Sequence, residues 1–397
     1  MFFLRKRDEV ATNYASWGEV FFLVVFTSYL VGEFITGTMY PYVINESIAY
    51  LICTYSTIFA TVKILLFNKF DSWQEFALTV ITGVFIWSSS FEANTFIFIY
   101  VYIMIIAAKD VDFKKILYVF FTVNIIGLVV AFASAKLGII AGVTNVRDGS
   151  YELRYALGMV YPTDLAARIF YLELFYMVFR KFKLTIPEYI SLVVVACWTN
   201  IVTDTRLDFI LTILAIVVAM LWPKLVPLVE KLNYWVVSGI SMIGIFGIIG
   251  VTYIYSPSNF LLRLINKIMS GRLLYSHKAF EKYNVTLFGQ WIPQRGNGGL
   301  HHGYFDYFFI DSSYIRILMM NGFICFVLLL VAVIYSSKRF MDERSYVLVV
   351  TLLFVLLSSI IDQHLLELSF NCLPLALLAN IGYFNQQSTG LKYRLGK

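Results

Sequence analysis

Long apolar runs alternate with short polar connections along most of the chain. Twelve of these runs have about the 20 residues that an α-helix needs to cross the hydrocarbon core of a bilayer. They are centred near residues 28, 56, 82, 101, 127, 170, 195, 214, 245, 323, 352 and 377. The pattern therefore predicts an all-α polytopic integral membrane protein of about 12 transmembrane helices, in which residues 1–397 form a single transmembrane domain.

The composition supports the same class. Hydrophobic residues make up 59% of the chain and charged residues 14%, and the mean hydropathy is +0.76; these values exclude a soluble globular protein. The four cysteines lie in different apolar runs and form neither a disulfide framework nor a metal-ligand spacing. We therefore expect no metal ion and no cofactor.

Basic residues are concentrated in alternate connections. More than half of the 31 basic residues lie in segments such as 5–7, 109–115, 180–183 and 338–344, whereas the short connections 39–46, 91–94 and 362–367 have none. The positive-inside rule then predicts a multi-pass protein of the cytoplasmic (inner or plasma) membrane with both termini in the cytoplasm.

Two outer loops break this rule by being basic. The large loop, residues 256–310 between spans nine and ten, combines predicted short helices with a flap rich in glycine and histidine at residues 294–303. It carries six basic residues against only Glu281 and Asp306. A second loop, residues 139–162, contains Arg147 and Arg154. An outer surface with this charge is typical of an anion-binding site.

Further polar residues lie on the same predicted side or within the spans. Thr205-Arg206 forms a short outer turn, and a second polar cluster joins the last two spans. Glu33, Arg168 and Glu173 lie inside spans, where ionisable side chains need a partner or water. The second polar cluster consists of Asp362, His364 and Glu367.

Several of these stretches resemble one family. Ser270-Gly-Arg-Leu, Thr286-Leu-Phe-Gly-Gln and Ile310-Asp-Ser-Ser-Tyr-Ile-Arg are similar to the Wzy-type oligosaccharide repeat-unit polymerases, in the O-antigen polymerase and ligase superfamily. Arg147 and Gly158 keep an Arg-x10-Gly spacing, and Arg154-Tyr-Ala-Leu-Gly also matches. The family often has His-Pro-Asn where this chain has Tyr161-Pro162-Thr163.

The resemblance implies a function and a fold. Such enzymes polymerise undecaprenyl-pyrophosphate-linked oligosaccharide units into a surface polysaccharide (O-antigen, capsule or exopolysaccharide) on the outer face of the cytoplasmic membrane. The fold would be GT-C-like, and the enzyme an inverting, metal-independent glycosyltransferase. Its partners would be the lipid-linked oligosaccharide, membrane lipid, a flippase and a chain-length regulator, with no nucleic acid.

The resemblance also assigns residues. Guanidinium groups bind phosphate bidentately, so the pyrophosphates are expected at Arg147, Arg154, Arg206 and Arg272. The alternative is pairing with nearby acids such as Asp204. The general base is expected among His301, His302 and Asp311. The alternative for Asp311 is a purely structural role as a helix cap. Substrate contacts are expected from Arg316, Tyr304 and Trp291.

Two other functions remain open. A ligase of the same superfamily shares the donor chemistry but transfers the glycan to another acceptor. A flippase or transporter for the lipid-linked oligosaccharide is a different class and would line a central cavity with charge. Few charged residues of this chain, such as Glu33, Arg168 and Glu173, lie within the spans, whereas the outer loops are basic, which favours chemistry at the membrane surface.

Overall fold

The computed structural model of the protein describes residues 15–146, 152–296, 298–300 and 306–386. Within these residues the chain is mainly helical. Its α-helices are α1 Ala15–Thr36, α2 Glu46–Phe67, α3 Trp73–Glu92, α4 Ile97–Ala107, α5 Phe113–Lys136, α6 Pro162–Phe179, α7 Ile186–Thr203, α8 Arg206–Val229, α9 Tyr234–Tyr253, α10 Phe260–Ile268, α11 Arg272–Lys282, α12 Ser313–Arg316, α13 Gly322–Asp342 and α14 Tyr346–Ser358.

Shorter elements connect the helices. A two-stranded antiparallel hairpin, β1 Thr144–Val146 and β2 Leu153–Tyr155, follows α5, with Asn145 opposite Arg154. A π-helical turn, Ile317–Asn321, joins α12 to α13. The 3-10 turns are Tyr40–Tyr42, His364–Leu366, Leu373–Leu377 and Gly382–Phe384.

Seven helices of the described chain are long and apolar enough to cross a membrane. They are α1, α2, α5, α7, α8, α9 and the α12–α13 unit Ser313–Asp342. In hydrocarbon every backbone donor and acceptor must be paired within the protein, and the helix does this locally. The predicted all-α membrane class is confirmed. The α4 and α14 helices are apolar but only 11 and 13 residues long, about 16 and 20 Å, which is less than the hydrocarbon thickness.

At the predicted twelfth span the structure differs from the sequence analysis. Around residue 377 the chain forms the 3-10 turn Leu373–Leu377 and, after a short turn, a second 3-10 turn, Gly382–Phe384, instead of a long helix. The Arg339 guanidinium donates to the carbonyls of Ala376, Leu377 and Ala379. These acceptors are therefore satisfied by a side chain of α13, and the helix that the apolar run predicts does not form.

The α6 helix lies at the centre of the bundle and contacts α5, α7, α8 and α14. Fourteen of its 18 residues are buried. Ala166 and Ala167 let neighbouring helices approach closely, and Asp164, Arg168 and Glu173 lie in the same buried helix. Three ionisable side chains therefore lie in a helix whose residues are mostly buried.

One end of the bundle is called the loop pole below. It holds the β1–β2 hairpin, the short helices α10 and α11, and the α1–α2 and α7–α8 connections. Met39 N donates to Gly158 O, which joins the α1–α2 connection to the hairpin. Phe113 N donates to Asn380 O at the opposite end, where Lys109 also pairs with Glu75. Polar contacts between distant segments of the chain are therefore found at both ends of the bundle.

The span Ser313–Asp342 is broken where the π-helical turn ends, at Gly322 with φ +87°. Residues 286–290 of the large loop pair with this break. Phe323 N donates to Thr286 O, Ile324 N donates to Leu287 O, and Gln290 N donates to Met320 O. A Cβ at Gly322 would collide with the backbone at Gly289. The loop thus satisfies the backbone groups that the interrupted helix leaves free.

Candidate functional site

Arg272, the first residue of α11, is enclosed by carboxylates at the loop pole. Its Nη1 donates to Ile361 O at 2.6 Å and to Asp362 Oδ1 at 3.2 Å, and its Nε lies 3.5 Å from Asp311 Oδ1. The side chains of Arg272, Asp311 and Asp362 are 15%, 17% and 6% exposed. Gly271, with φ +87°, makes the tight turn that begins α11 at this point.

Asp208 completes a group that we call the Arg272 cluster: Arg272, Asp208, Asp311 and Asp362. Asp208 lies in the first turn of α8, is buried and interacts electrostatically with Asp362 and Arg272. Among the described residues, Asp208 Oδ1, Asp311 Oδ2 and Asp362 Oδ2 are buried without a hydrogen-bond partner. One guanidinium cannot pair with every oxygen of three carboxylates. The remaining carboxylate oxygens would be satisfied by a hydroxyl group of a bound molecule or by a proton.

Charge and burial act against each other at Arg272 and Asp311. Burial raises the pKa of Asp311, as does the charge of Asp362, and the nearby Arg272 only partly offsets them. Burial would lower the pKa of Arg272, but Asp311, Asp362 and Asp208 outweigh it and the pKa is raised. Arg272 therefore stays charged, while Asp311 accepts a proton more readily than an exposed aspartate.

His364 forms a second acid–base group beside the Arg272 cluster. Its Nδ1 lies 2.9 Å from Glu367 Oε2 and its Nε2 lies 3.7 Å from Asp164 Oδ1. Burial lowers the pKa of His364, but Glu367, Asp164 and Asp362 outweigh burial and raise that pKa to about 9. Burial would raise the pKa of Glu367, and His364 outweighs it, so that pKa is lowered. At neutral pH the two residues form an ion pair.

A stack of rings and a guanidinium holds this segment in place. The His364 ring lies flat on Phe370 at 3.8 Å, and the Arg168 guanidinium lies between Phe370 and Phe34 at 3.9 and 4.4 Å from their ring centres. Arg168 Nη1 also donates to Ser369 O at 3.0 Å. Such cation–π contacts are strong where water is excluded, so Arg168 is a structural support for the segment that carries His364.

The N-terminus of α12 fixes the position of Asp362. Ser313 N donates to Ser359 O and Asp362 O, and Ser313 Oγ donates to Asp362 O at 2.5 Å. Asp311 lies two residues before Ser313, so both carboxylates are positioned by the same helix start. The alternative role of Asp311 as a helix cap is not seen, since Ser312 occupies the N-cap position of α12.

Arg154 and Arg206 both lie at the α7–α8 turn, where they have different partners. Arg154, in β2, donates from Nε to Thr203 O at 2.7 Å and from Nη2 to Thr205 Oγ1 at 3.5 Å. Arg206 is 73% exposed, with its Nε 3.7 Å from Asp204 Oδ1. Arg206 and Asp208 are two residues apart on α8, about 200° around the helix. Asp208 therefore faces the buried cluster, while Arg206 faces outward.

The other predicted site residues have different surroundings. Arg316 Nη1 donates to Gln363 Oε1 at 3.0 Å, and its guanidinium lies 5.2 Å from the Phe309 ring centre. Trp291 is 61% exposed at the loop pole. Four predicted residues lie outside the described part of the chain: Arg147, His301, His302 and Tyr304.

Two tyrosines, Tyr161 and Tyr307, lie near Asp311. Burial raises the pKa of Tyr161 to about 12, with added effects from Asp164 and Asp311. Tyr307 packs edge-on against Tyr275 at 4.5 Å, and burial and Asp311 raise its pKa. The glycine-rich loop crosses Tyr161 so closely that a Cβ on Gly298 would collide with its ring. Aromatic rings of this kind offer stacking surfaces next to a carboxylate.

Sequence reasoning missed Asp164 and Asp208 as site residues. Each is the third residue of a helix, α6 or α8. An acid in a first turn is favoured there by the helix dipole, so its presence carries no functional signal by itself. The available signal was the sequence around each aspartate. Both helices continue as long apolar runs, so each aspartate is one of few polar residues near the start of a buried or membrane-spanning helix.

The fold and the site together define a polytopic α-helical membrane protein with a buried cluster of acids and bases at its loop pole. No family model, no curated protein and no solved structure matches the chain. Among the described residues, no group of three His, Cys, Asp or Glu side chains is arranged to hold a metal ion.

Proposed function

We propose that this protein is a membrane glycosyltransferase that polymerises undecaprenyl-pyrophosphate-linked oligosaccharide units into a surface polysaccharide. The loop pole would then face outward from the cytoplasmic membrane, with both termini in the cytoplasm. The proposal rests on the resemblance described above and on one observation. Asp311 is held at one oxygen by Arg272, while its other oxygen is buried without a partner among the described residues.

In the proposed reaction Asp311 acts as the general base. A hydroxyl of the acceptor sugar gives its proton to Asp311 Oδ2 while the hydroxyl oxygen forms a bond to the anomeric carbon of the donor. The bond from that carbon to the pyrophosphate oxygen breaks, and its electron pair leaves with undecaprenyl pyrophosphate. A raised pKa suits a carboxylate to this role, because a stronger base takes the proton more readily.

The arginines divide into two roles under this proposal. Arg206 is exposed and lies beside the turn, so its guanidinium is positioned to bind a pyrophosphate that arrives at the membrane surface. Arg272 is surrounded by three acids, so its charge is already compensated and its role is to orient Asp311 and Asp362. Arg154 supports Arg206 by hydrogen bonding to the α7–α8 turn.

The tyrosines fit a carbohydrate substrate. Tyr161 and Tyr307 lie close enough to Asp311 for the charge of its carboxylate to raise the pKa of each phenol. Sugar rings present apolar faces that pack on aromatic rings, and a phenol hydroxyl hydrogen-bonds sugar hydroxyls. An acceptor sugar held on these rings would have its hydroxyls near Asp311 Oδ2.

The proposal is tested with purified protein in liposomes, given lipid-linked repeat units extracted from cells that make this chain. The readout is a glycan ladder on a gel. We expect Asp311→Asn to lower the rate by about 10²–10⁴-fold, because an amide cannot accept the proton. The matched control is Asp342→Asn, an exposed acid at the end of α13, which should leave the ladder unchanged.

Other results would contradict the proposal in defined ways. A full ladder from Asp311→Asn removes Asp311 as the base. Transfer of one unit to another acceptor without lengthening indicates the ligase. Movement of intact lipid-linked units across the bilayer, with no new glycosidic bond, indicates the transporter.

A further inference from the structure

An apolar groove runs along the membrane-embedded surface between α3, α4, α13 and α14. Its volume is about 490 Å³, within the range of roughly 300–1,000 Å³ for small-molecule sites. Leu78, Val331 and Tyr335 line the groove and are exposed, so it opens toward the surrounding hydrocarbon. The shortness of α4 and α14 leaves this space between longer neighbours.

A small polar cavity lies at the end of this groove nearest the loop pole. The cavity has a volume of about 40 Å³, room for roughly three water-sized atoms. Its lining includes Arg316, Gln363, Asn321 and Glu367. The two spaces share Phe98, Leu365 and Leu366 as lining residues, so groove and cavity are adjacent.

The cavity lining includes hydrogen-bond donors from Arg316, Asn321 and Gln363. Among the described residues, the Arg316 side chain donates one hydrogen bond, to Gln363 Oε1. Further N–H groups of the guanidinium are left to donate, and so is the amide nitrogen of Gln363. Asn321 is 6% exposed, and its Nδ2 is buried without a partner among the described residues. Glu367 also lines the cavity, but it is paired with His364, which compensates its charge.

We propose that this groove and cavity together bind a lipid with a phosphate headgroup: its hydrocarbon chain lies in the groove, and its phosphate contacts Arg316 and Asn321. Charge complementarity supports an anion in the cavity, since a guanidinium and an unpartnered amide donor face it. The apolar groove supports an attached chain over a free phosphate ion. Three terminal oxygens of a phosphate match the size of the cavity.

The identity of the lipid rests on the proposed function. One groove joined to one cavity suits a lipid with a single chain, and the proposed substrate is a polyprenyl lipid of that kind. Arg206 lies at the α7–α8 turn, on helices that do not line the groove. The protein would therefore have two separate places for the two lipid-linked substrates that polymerisation joins.

The test is a binding measurement on the full chain in detergent, by native mass spectrometry with undecaprenyl phosphate as the probe. Undecaprenol, phosphatidylglycerol and inorganic phosphate are titrated in parallel. We expect undecaprenyl phosphate to bind at least about tenfold more tightly than undecaprenol, because charge-assisted hydrogen bonds contribute that much. We expect inorganic phosphate to bind still more weakly, since it cannot use the groove.

Two variants test the two halves of the site. Ala332→Phe fills the groove and Arg316→Gln removes the charge, and each should weaken binding of undecaprenyl phosphate about tenfold or more. Ala133→Phe makes the same change on the exposed face of α5 and should have no effect. Folding of each variant is checked by its melting temperature. Arg316→Lys, which keeps the positive charge, should retain part of the affinity.

Several results would overturn the inference. Unchanged affinity in folded Ala332→Phe would show that the lipid chain does not lie in the groove. Equal affinity for undecaprenol would show that the phosphate makes no contact that contributes to binding. Phosphatidylglycerol binding as tightly as the probe overturns the choice of a polyprenyl lipid. Because the measurement involves no turnover, binding as expected in a protein that makes no glycan ladder would reject only the proposed function. A ladder with no binding here would reject only this inference.

Discussion

The Arg272 cluster and the α7–α8 turn contain the same residue type at the same pole, but in opposite surroundings. Arg272 is buried among Asp208, Asp311 and Asp362, whereas Arg206 is largely exposed beside one acid at 3.7 Å. Electrostatic attraction is weak in water and strong where water is excluded. The comparison shows that an arginine's role depends on burial and on the number of its partners.

The largest difference is expected in stability. Arg272→Met leaves three buried acids without their counter-charge, which should lower the free energy of unfolding by about 3–5 kcal/mol. The measurement is the melting temperature and the yield of folded protein in detergent. Arg272→Lys should recover part of the loss. A melting temperature equal to that of the unchanged protein would show that the acids are already neutral.

The next effect is a pH dependence at His364. The pKa of this side chain is about 9 in the folded protein and about 6.5 in the unfolded chain. Folding therefore gains stability from the bound proton below pH 6.5 and loses it as the pH rises through 9, by up to about 3 kcal/mol. Thermal melts between pH 6 and 9.5 measure this loss.

The control for this prediction is His364→Gln. Glutamine keeps a hydrogen-bond donor toward Glu367 but does not titrate, so the loss of stability across this pH range should become smaller. The same slope in the variant and the unchanged protein would assign the pH dependence to other groups.

A smaller effect is expected for Arg154. Its Nε hydrogen bond to Thr203 O fixes the end of α7, and hydrogen bonds from a charged donor contribute about 1.5–3 kcal/mol. Arg154→Met should therefore destabilise the α7–α8 turn locally. Hydrogen–deuterium exchange over residues 199–208 should become faster, with exchange in α13 unchanged. Equal exchange in both proteins would contradict a structural role for Arg154.

The smallest effect on stability is expected for Arg206→Gln, below about 0.5 kcal/mol, because exposed ion pairs contribute little. Under the proposed function the same change should lower polymerisation about tenfold or more. Arg263→Gln, on the exposed face of α10, is the matched control at the same pole. A large stability loss with Arg206→Gln would remove the contrast between the two arginines.

The apolar pattern predicted the membrane class because hydrocarbon leaves the backbone few alternatives to a helix. It was wrong near residue 377, where the backbone carbonyls are satisfied by Arg339, a residue distant in the sequence. No local pattern contains that contact. Helix boundaries that depend on such long-range contacts therefore cannot be predicted from the local sequence pattern.

The candidate site was predictable in part. The polar group Asp362, His364 and Glu367 was recognised from three ionisable residues in a short connection. The partners of Arg272 were not, because Ile361 and Asp362 lie about ninety residues further along the chain. Spacing in the sequence gives local neighbours, whereas the charge around Arg272 depends on how α8, α11 and α12 pack.

The pairing of residues 286–290 with the helix break at Gly322 has a consequence for exchange between related chains. The large loop and the span after it share backbone hydrogen bonds. We therefore expect the two segments to be exchanged together between related chains. Consider a chimera that receives a foreign large loop but keeps its own α12–α13 segment. Its loop would not match the backbone groups at the helix break at Gly322. Recombination that preserves function is therefore expected on either side of residues 286–324, and rarely within them.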